Sequence, residues 1–207
     1  MGSVTPTDTK EQILNVAERL FAEQGFSGTS LRSVVREAQV NLAAVHYHFG
    51  SKEELFRAVV ARIAKLVVRA QLELLAECED QSEPPSVEVI LEAFLTPPLQ
   101  TILTCKEHGM NRARFLGRCR TEPDPIQTIA KGEFQVCEES FLDVLQRSLP
   151  NQPRTELAWK LDLVVAALIR VATEAGKPNT LLKGDSPEDI KLTVSQLICF
   201  LAPGMYS

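Results

Sequence analysis

The sequence predicts an all-α protein, with a small N-terminal helical domain followed by a larger helical one. Apolar residues recur at spacings of three and four along most of the 207 residues, and no stretch alternates with the period of two that a half-buried strand requires. Two short helical patterns lie between Gly25 and Leu55, separated by a break too brief to be a linker. The chain closes on two long apolar segments of helical spacing, 155–175 and 187–201.

Taken in order, Met1 to Thr9 form a polar lead without regular structure. A first helix spans 10–24, with Ile13, Ala17, Leu20 and Phe21 inward and Gly25 closing it. Thr29 and Ser30 are capping residues for a second, short helix that buries Leu31, Val34, Val35 and Ala38. Gln39 and Val40 make the turn. Asn41 caps a third helix, in which Leu42, Val45 and Phe49 share one side and Ala43, Ala44, His46, Tyr47 and His48 fill the rest. Small residues at its start allow close approach to a groove floor, and the ring side chains after them reach toward phosphates. Gly50 ends this helix-turn-helix, and Ser51 caps a fourth helix from 52 to about 78, with Glu53 and Glu54 in its first turn. That helix is longer than a small DNA-binding module requires, so it bridges the domains 1–51 and 52–207.

Beyond a proline-containing loop at 80–86, a helix over 87–105 should kink or break at Pro97 and Pro98. A basic stretch at 108–120 carries Arg112, Arg114, Arg118 and Arg120, and one long helix is expected over 126–149. In the last two helices Leu161, Val164, Val165, Leu168, Ile169, Ala172, Ile190, Val194, Leu197, Ile198 and Leu201 exceed what one inward stripe needs.

Composition excludes several classes. The chain is 44% hydrophobic and 24% charged, as an ordinary globular protein is. It shows no apolar run long enough to span a membrane, and its first residues do not form an apolar leader, so a cytoplasmic location is expected. A net charge of -5 argues against nonspecific nucleic-acid binding. Between Gln24 and Lys52, however, Arg32, Arg36 and Lys52 face Glu37 alone, so this segment attracts phosphate. Five cysteines without a CxxC pair read as reduced thiols, and His46 and His48, two apart on a helix, make a poor metal pair. Cys105 and His108 have no orienting acid and no further ligands, so no catalytic residue, metal or cofactor is expected.

The segments ILNVAERLFAEQGF (13–26), GTSLRSVVREAQVNLAAV (28–45) and YHFGSKEEL (47–55) resemble TetR-type transcriptional regulators. Two positions depart from that pattern: Gln39 stands where the family usually has Gly, and His46 where it most often has Tyr. The resemblance implies that Asn41, Leu42, Ala43 and Ala44 lie nearest base edges of an operator duplex. Thr29, Ser30, Tyr47, His48 and Lys52 then sit on phosphates, and His46 on either. It further implies a homodimer through the last two helices and a small-molecule effector in the C-terminal domain. Phe94, Leu99, Phe115, Phe134 and Phe141 would line that pocket, with an arginine from 112–120 on an anionic head group. FLGRCRTEPDP (115–125), with NLAAVHYHFGSKEEL, is similar to the fatty-acid-responsive subgroup, which implies a fatty acid or acyl thioester effector. The alternative is a helical ligand-binding or protein-interaction module without specific DNA binding.

Overall fold

The structure, a computed structural model, describes residues 6–79, 83–104, 106–175, 177–184 and 186–207. Among them are ten helices and no strand: α1 (Pro6–Gly28), α2 (Leu31–Glu37), α3 (Leu42–Phe49), α4 (Lys52–Glu79), α5 (Val87–Thr104), α6 (Lys106–Cys119), α7 (Ile126–Gly132), α8 (Gln135–Ser148), α9 (Arg154–Thr173) and α10 (Pro187–Tyr206). The chain is all-α, as its periodicity predicts. Two compact units emerge, one of Met1–Ala64 with Asn111–Glu133 and one of Lys65–Met110 with Phe134–Ser207. Helices α4 and α6 each contribute residues to both.

In the first unit, α1 turns Ile13, Ala17, Leu20 and Phe21 inward, each essentially inaccessible, with Val34 of α2, Ala38 just past it, Val45 of α3 and Leu55, Phe56, Val59, Val60 and Ile63 of α4 likewise buried. Four phenylalanine rings knit this core. Phe56 meets Phe21 at 5.3 Å, Phe26 at 5.5 Å and Phe115 of α6 at 5.3 Å between centroids. The first two pairs are edge to face, the arrangement the ring quadrupoles prefer. Glu18 is 2% exposed, and its carboxylate takes Arg62 of α4 and Arg112 of α6. A buried carboxylate must be paired in this way or lose its charge.

The second unit packs α10 on α5 and α9, and α8 on α5 and α9. Here α5 departs from expectation by running unbroken through Pro97 and Pro98. Pro98 has no N–H for the carbonyl of Phe94, which would be orphaned inside the unit. Gln71 of α4 supplies the donor: its Nε2 lies 2.7 Å from that oxygen, and its Oε1 accepts the Cys137 thiol at 3.3 Å. The helix survives because a buried side chain far away in sequence satisfies the group that proline leaves open.

Three further boundaries differ. α1 begins at Pro6, inside the stretch expected to lack structure, while Met1 to Thr5 lie outside the described residues. The single helix expected over 126–149 is two, α7 and α8, parted at Glu133 and Phe134 just after Gly132, whose backbone freedom disfavours helix. α10 continues past Leu201 through Pro203 to Tyr206. The carbonyl that Pro203 leaves unbonded belongs to exposed Cys199, and the terminal carbonyl of Met205 accepts from Gln152 Nε2 at 2.6 Å and Lys160 Nζ at 3.4 Å. No described helix is long and apolar enough to cross a membrane.

Candidate nucleic-acid interface

The α2–α3 unit is assembled by local hydrogen bonds that the sequence encodes. Ser30 caps α2: its Oγ accepts from Ser33 N–H at 3.0 Å, while Ser33 Oγ accepts from Ser30 N–H at 3.1 Å, a reciprocal capping box. α2 ends at Ala38, and Gln39 turns the chain with φ 51. Asn41 Oδ1 then accepts from Ala44 N–H at 2.7 Å and starts α3. Val45 and Phe49 hold α3 to the core.

Gln39 pays a left-handed backbone where glycine would not, a cost on the order of 1 kcal/mol. Gln39→Gly removes that strain and loses part of the gain to the freer unfolded chain. The expected result is a rise of a few degrees in the first unit's melting temperature, read by calorimetry. A fall would mean that the Gln39 side chain holds the turn.

What α3 leaves outside is one continuous face. Leu42 is 41% exposed and Tyr47 83%, and Ala43 and His46 are exposed beside them. Ala44 and His48 are half-buried, and the rings of Tyr47 and His48 meet edge to face at 5.1 Å. His46 Nδ1 lies 2.8 Å from Gly50 O. A carbonyl only accepts, so Nδ1 carries a proton, and in that neutral tautomer Nε2 is the acceptor. Gly50 itself has φ 76 and donates its N–H back to His46 O at 2.9 Å.

Two of the residues expected on phosphates are used inside the protein. Thr29 is 1% exposed and its hydroxyl donates to Gly25 O at 2.9 Å, so it cannot reach a duplex. Lys52 Nζ donates to Phe26 O at 3.0 Å and to Thr29 O at 3.1 Å and lies 4.0 Å above the Phe26 ring, leaving one N–H. Both hold the corner between α1 and α2. Two exposed cations absent from the expected contacts, Arg32 and Arg36, stand on α2. The local charge count between Gln24 and Lys52 already pointed to them. The one acid of that stretch, Glu37, is taken by Arg19, whose guanidinium is held above its ordinary pKa chiefly by this hydrogen bond, and the other Glu37 oxygen lies 3.8 Å from the exposed Arg36.

The residues expected to line an effector pocket fall in different units. Phe115 is in the first unit's aromatic core. In the second, Phe94 and Phe141 meet edge to face at 4.9 Å, Leu99 is fully buried and Phe134 is half-buried at the start of α8. The same unit has a groove of about 430 Å³ between α5 and α10, with Ile190 and Val194 inside and Glu92, Thr96 and Lys191 among its polar residues. Of the arginines expected at an anionic head group, Arg112 is on Glu18, and Arg118 Nη2 donates to Glu23 O at 2.9 Å.

Cys105 and the His108 side chain lie outside the described residues. Burial pushes the Cys119 and Cys137 thiols up to about 12, whereas Cys199 is exposed. Thiolate is the reactive form. In dilute protein without its partner copy, iodoacetamide at pH 8 is therefore expected to label Cys199 ahead of Cys119 and Cys137, which it reaches only after unfolding, as peptide mass mapping would show. Early labelling of Cys119 or Cys137 would contradict their burial.

A family model described as "Bacterial regulatory proteins, tetR family" matches residues 13–59, and one described as "Tetracyclin repressor-like, C-terminal domain" matches 92–204. The HTH-type transcriptional regulator LmrA of Bacillus subtilis (strain 168) is 32% identical over 165 residues, 78% of this chain and 82% of LmrA. The HTH-type transcriptional regulator AcrR of Shigella flexneri is 27% identical over 144 residues, 70% of this chain; that match spans 64% of AcrR. Among solved structures, NalD of Pseudomonas aeruginosa, described as the secondary repressor of the MexAB-OprM multidrug efflux pump, aligns with a TM-score of 0.65 at 19% identity, covering 97% of this chain and 98% of NalD. That level of identity speaks for the fold.

Proposed function

We propose, for a chain that belongs to the TetR family of DNA-binding transcriptional regulators, that it acts as a cytoplasmic homodimeric repressor released from a palindromic operator by a small molecule. The observation that carries this reading is the uncovered face of α3, flanked by the exposed cations of α2. Leu42, Ala43 and the Asn41 and Ala44 positions beside them take the base edges, small enough for the helix to sit deep in a major groove. His46 Nε2, as an acceptor, suits an exocyclic amine of adenine or cytosine. Ser30, Tyr47, His48, Arg32, Arg36 and the remaining N–H of Lys52 go to phosphates and set register. DNA contact thus falls to the domain 1–51 and to Lys52 directly after it, while the rest of 52–207 carries effector binding and dimerisation.

One recognition helix reads only a few base pairs, so two copies must be held about 34 Å apart to read successive major grooves. α9 and α10 provide the self-complementary face. The surplus apolar residues expected there are largely core: Leu161, Val164, Leu168, Ala172, Ile190, Val194 and Leu197 are all buried. Large apolar residues that were not among those expected stand uncovered instead, Trp159 and Leu163 on α9 and Leu192 and Phe200 on α10, each more than half exposed, as is Tyr206 at the end of α10. A second copy of the same two helices would cover them as a four-helix bundle.

The effector is assigned to the second unit, as a fatty acid or acyl thioester, on the likeness of 115–125 to the fatty-acid-responsive subgroup. An acyl chain would have to part Phe94 from Phe141, so binding and rearrangement are one event. By linkage, an arrangement that prefers ligand and has the wrong α3 spacing makes ligand and DNA oppose one another.

The deciding experiment is fluorescence anisotropy on the duplex upstream of the protein's own gene and on genomic fragments, at two salt concentrations with random DNA as competitor. Tight, salt-sensitive, competitor-resistant binding is expected, and release by one member of an acyl-chain panel. Binding no better than random on every fragment would favour a ligand-binding module without specific DNA recognition, the reading to which the net charge of -5 gives its weight.

A further inference from the structure

The corner where α1 breaks is held by side chains from outside the helix-turn-helix. At Gly25 the backbone leaves the helical region, with φ 74 and ψ 177. A broken helix orphans N–H groups after the break and carbonyls before it. The N–H of Phe26, just past the break, donates to Glu122 Oε1 at 2.8 Å. The carbonyl of Glu23, just before it, accepts from Arg118 Nη2 at 2.9 Å. A carboxylate thus serves the orphan donor and a guanidinium the orphan acceptor, each the chemically matching partner. Gly25 is favoured by conformation, and a Cβ there would stand 2.7 Å from Glu122 Oε1 and 3.0 Å from Arg118 Nη1, so it would displace the ends of the two capping side chains.

The two capping residues are aimed by their own local structure. α6 ends as Thr121 and Glu122 both return their N–H groups to Arg118 O, at 2.8 and 3.1 Å, which turns Glu122 back toward the corner. One turn earlier, Phe115 anchors α6 in the aromatic core. Lys52 and Thr29 bind three further carbonyls of the corner, those of Phe26, Thr29 and Gly25. These polar groups at the exit of α2 from α1 are therefore gripped, and two of the gripping residues, Arg118 in the last turn of α6 and Glu122 just past its end, lie about a hundred positions downstream.

We propose that Glu122 and Arg118 are positioning residues for operator recognition: by capping the α1 break they fix the angle at which α2 leaves, and so the orientation of α3. The role rests on the regulator reading above. It requires no contact between either residue and DNA. By linkage, a duplex that demands one orientation of α3 must tighten the clasp, and loosening the clasp must weaken that duplex.

The test uses full-length protein and a duplex enriched from genomic fragments by the wild type. Glu122→Ala is expected to lower affinity for that duplex about tenfold, the usual scale for a lost charge-assisted hydrogen bond. The salt slope stays unchanged, because no phosphate contact is lost. Amides 26–30 exchange faster in the free variant, while those of α9 and α10 do not change. Glu122→Gln keeps an acceptor for Phe26 N–H but removes the charge, so it is expected to restore most of the affinity. In the wild type, operator binding should slow exchange over 118–126.

Wild-type affinity in Glu122→Ala, or unaltered exchange at 26–30, would overturn the role. So would equal loss in Glu122→Ala and Glu122→Gln with a changed salt slope, which would make the effect electrostatic. Should Glu122→Ala not fold, Arg118→Gln carries the same measurements. A wild type that binds no duplex removes the regulator reading and this role together, and accelerated exchange at 26–30 would then still show the clasp itself.

Discussion

Ala43→Glu abolishes operator binding and leaves the protein folded and dimeric. Ala43 is exposed in the first turn of α3, and its methyl group has no packing role in the core. On a helix an exposed alanine exchanges for glutamate at a cost of a few tenths of a kcal/mol, and an acid in the first turn recovers much of that through the helix dipole. The melting temperature should stay within a degree or two. On DNA the carboxylate is driven into a negatively charged groove at the position that needs the closest approach. An unpaired charge buried in an interface costs several kcal/mol, and a symmetric dimer carries the change twice. Affinity should fall by more than about a thousandfold, with no residual preference for operator over random duplex. Anisotropy titration beside a thermal melt checks both halves. Ala43→Gln, similar in size but uncharged, should fall much less and isolates the charge. Unchanged binding in Ala43→Glu would mean that α3 is not the helix that enters the groove.

That prediction was legible from the sequence because the caps and the turn that form α2 and α3 are local. Ser30, Asn41 and Ser51 each cap the helix that follows them, through bonds spanning three residues. Gly50 stops α3 and Gln39 takes the left-handed turn, as their places in the pattern require. Long-range partners were not legible. Lys52 and Thr29 occupy positions suited to phosphates, yet the oxygens they bind belong to the end of α1 and the corner that follows. Pro97 and Pro98 look like breakers until Gln71 is seen on the Phe94 carbonyl. Phe115 reads as a pocket residue because spacing alone cannot say which of two cores a phenylalanine joins, and it joins the first. For α9 and α10 the periodicity located an apolar surplus without showing which stripe faces inward. That choice is made by α5 and α8, and it leaves Trp159, Leu163, Leu192 and Phe200 outside.

Phe200→Glu should turn the dimer into monomer and, through that alone, remove specific DNA binding. Phe200 is 80% exposed, so the monomer loses almost no burial on substitution and its helix content and melting behaviour should hold. In a symmetric bundle each Phe200 is buried by the partner, with about 2 kcal/mol or more of apolar burial per ring. The variant forfeits two rings and places two carboxylates at an apolar seam. Dimer dissociation should strengthen by roughly a thousandfold or more, which sedimentation at micromolar protein would register as monomer. Its α3 face is untouched, so each monomer keeps its own phosphate contacts. The residual, nonspecific binding should then show about half the wild-type salt slope, the signature of one half-site instead of two. Ala43→Glu gives the opposite pattern, a dimer blind to DNA. A Phe200→Glu protein that stays dimeric would place the subunit contact elsewhere. One that becomes monomeric yet keeps full operator affinity would sever dimerisation from recognition, and with it the need for two copies of α3 at a fixed spacing.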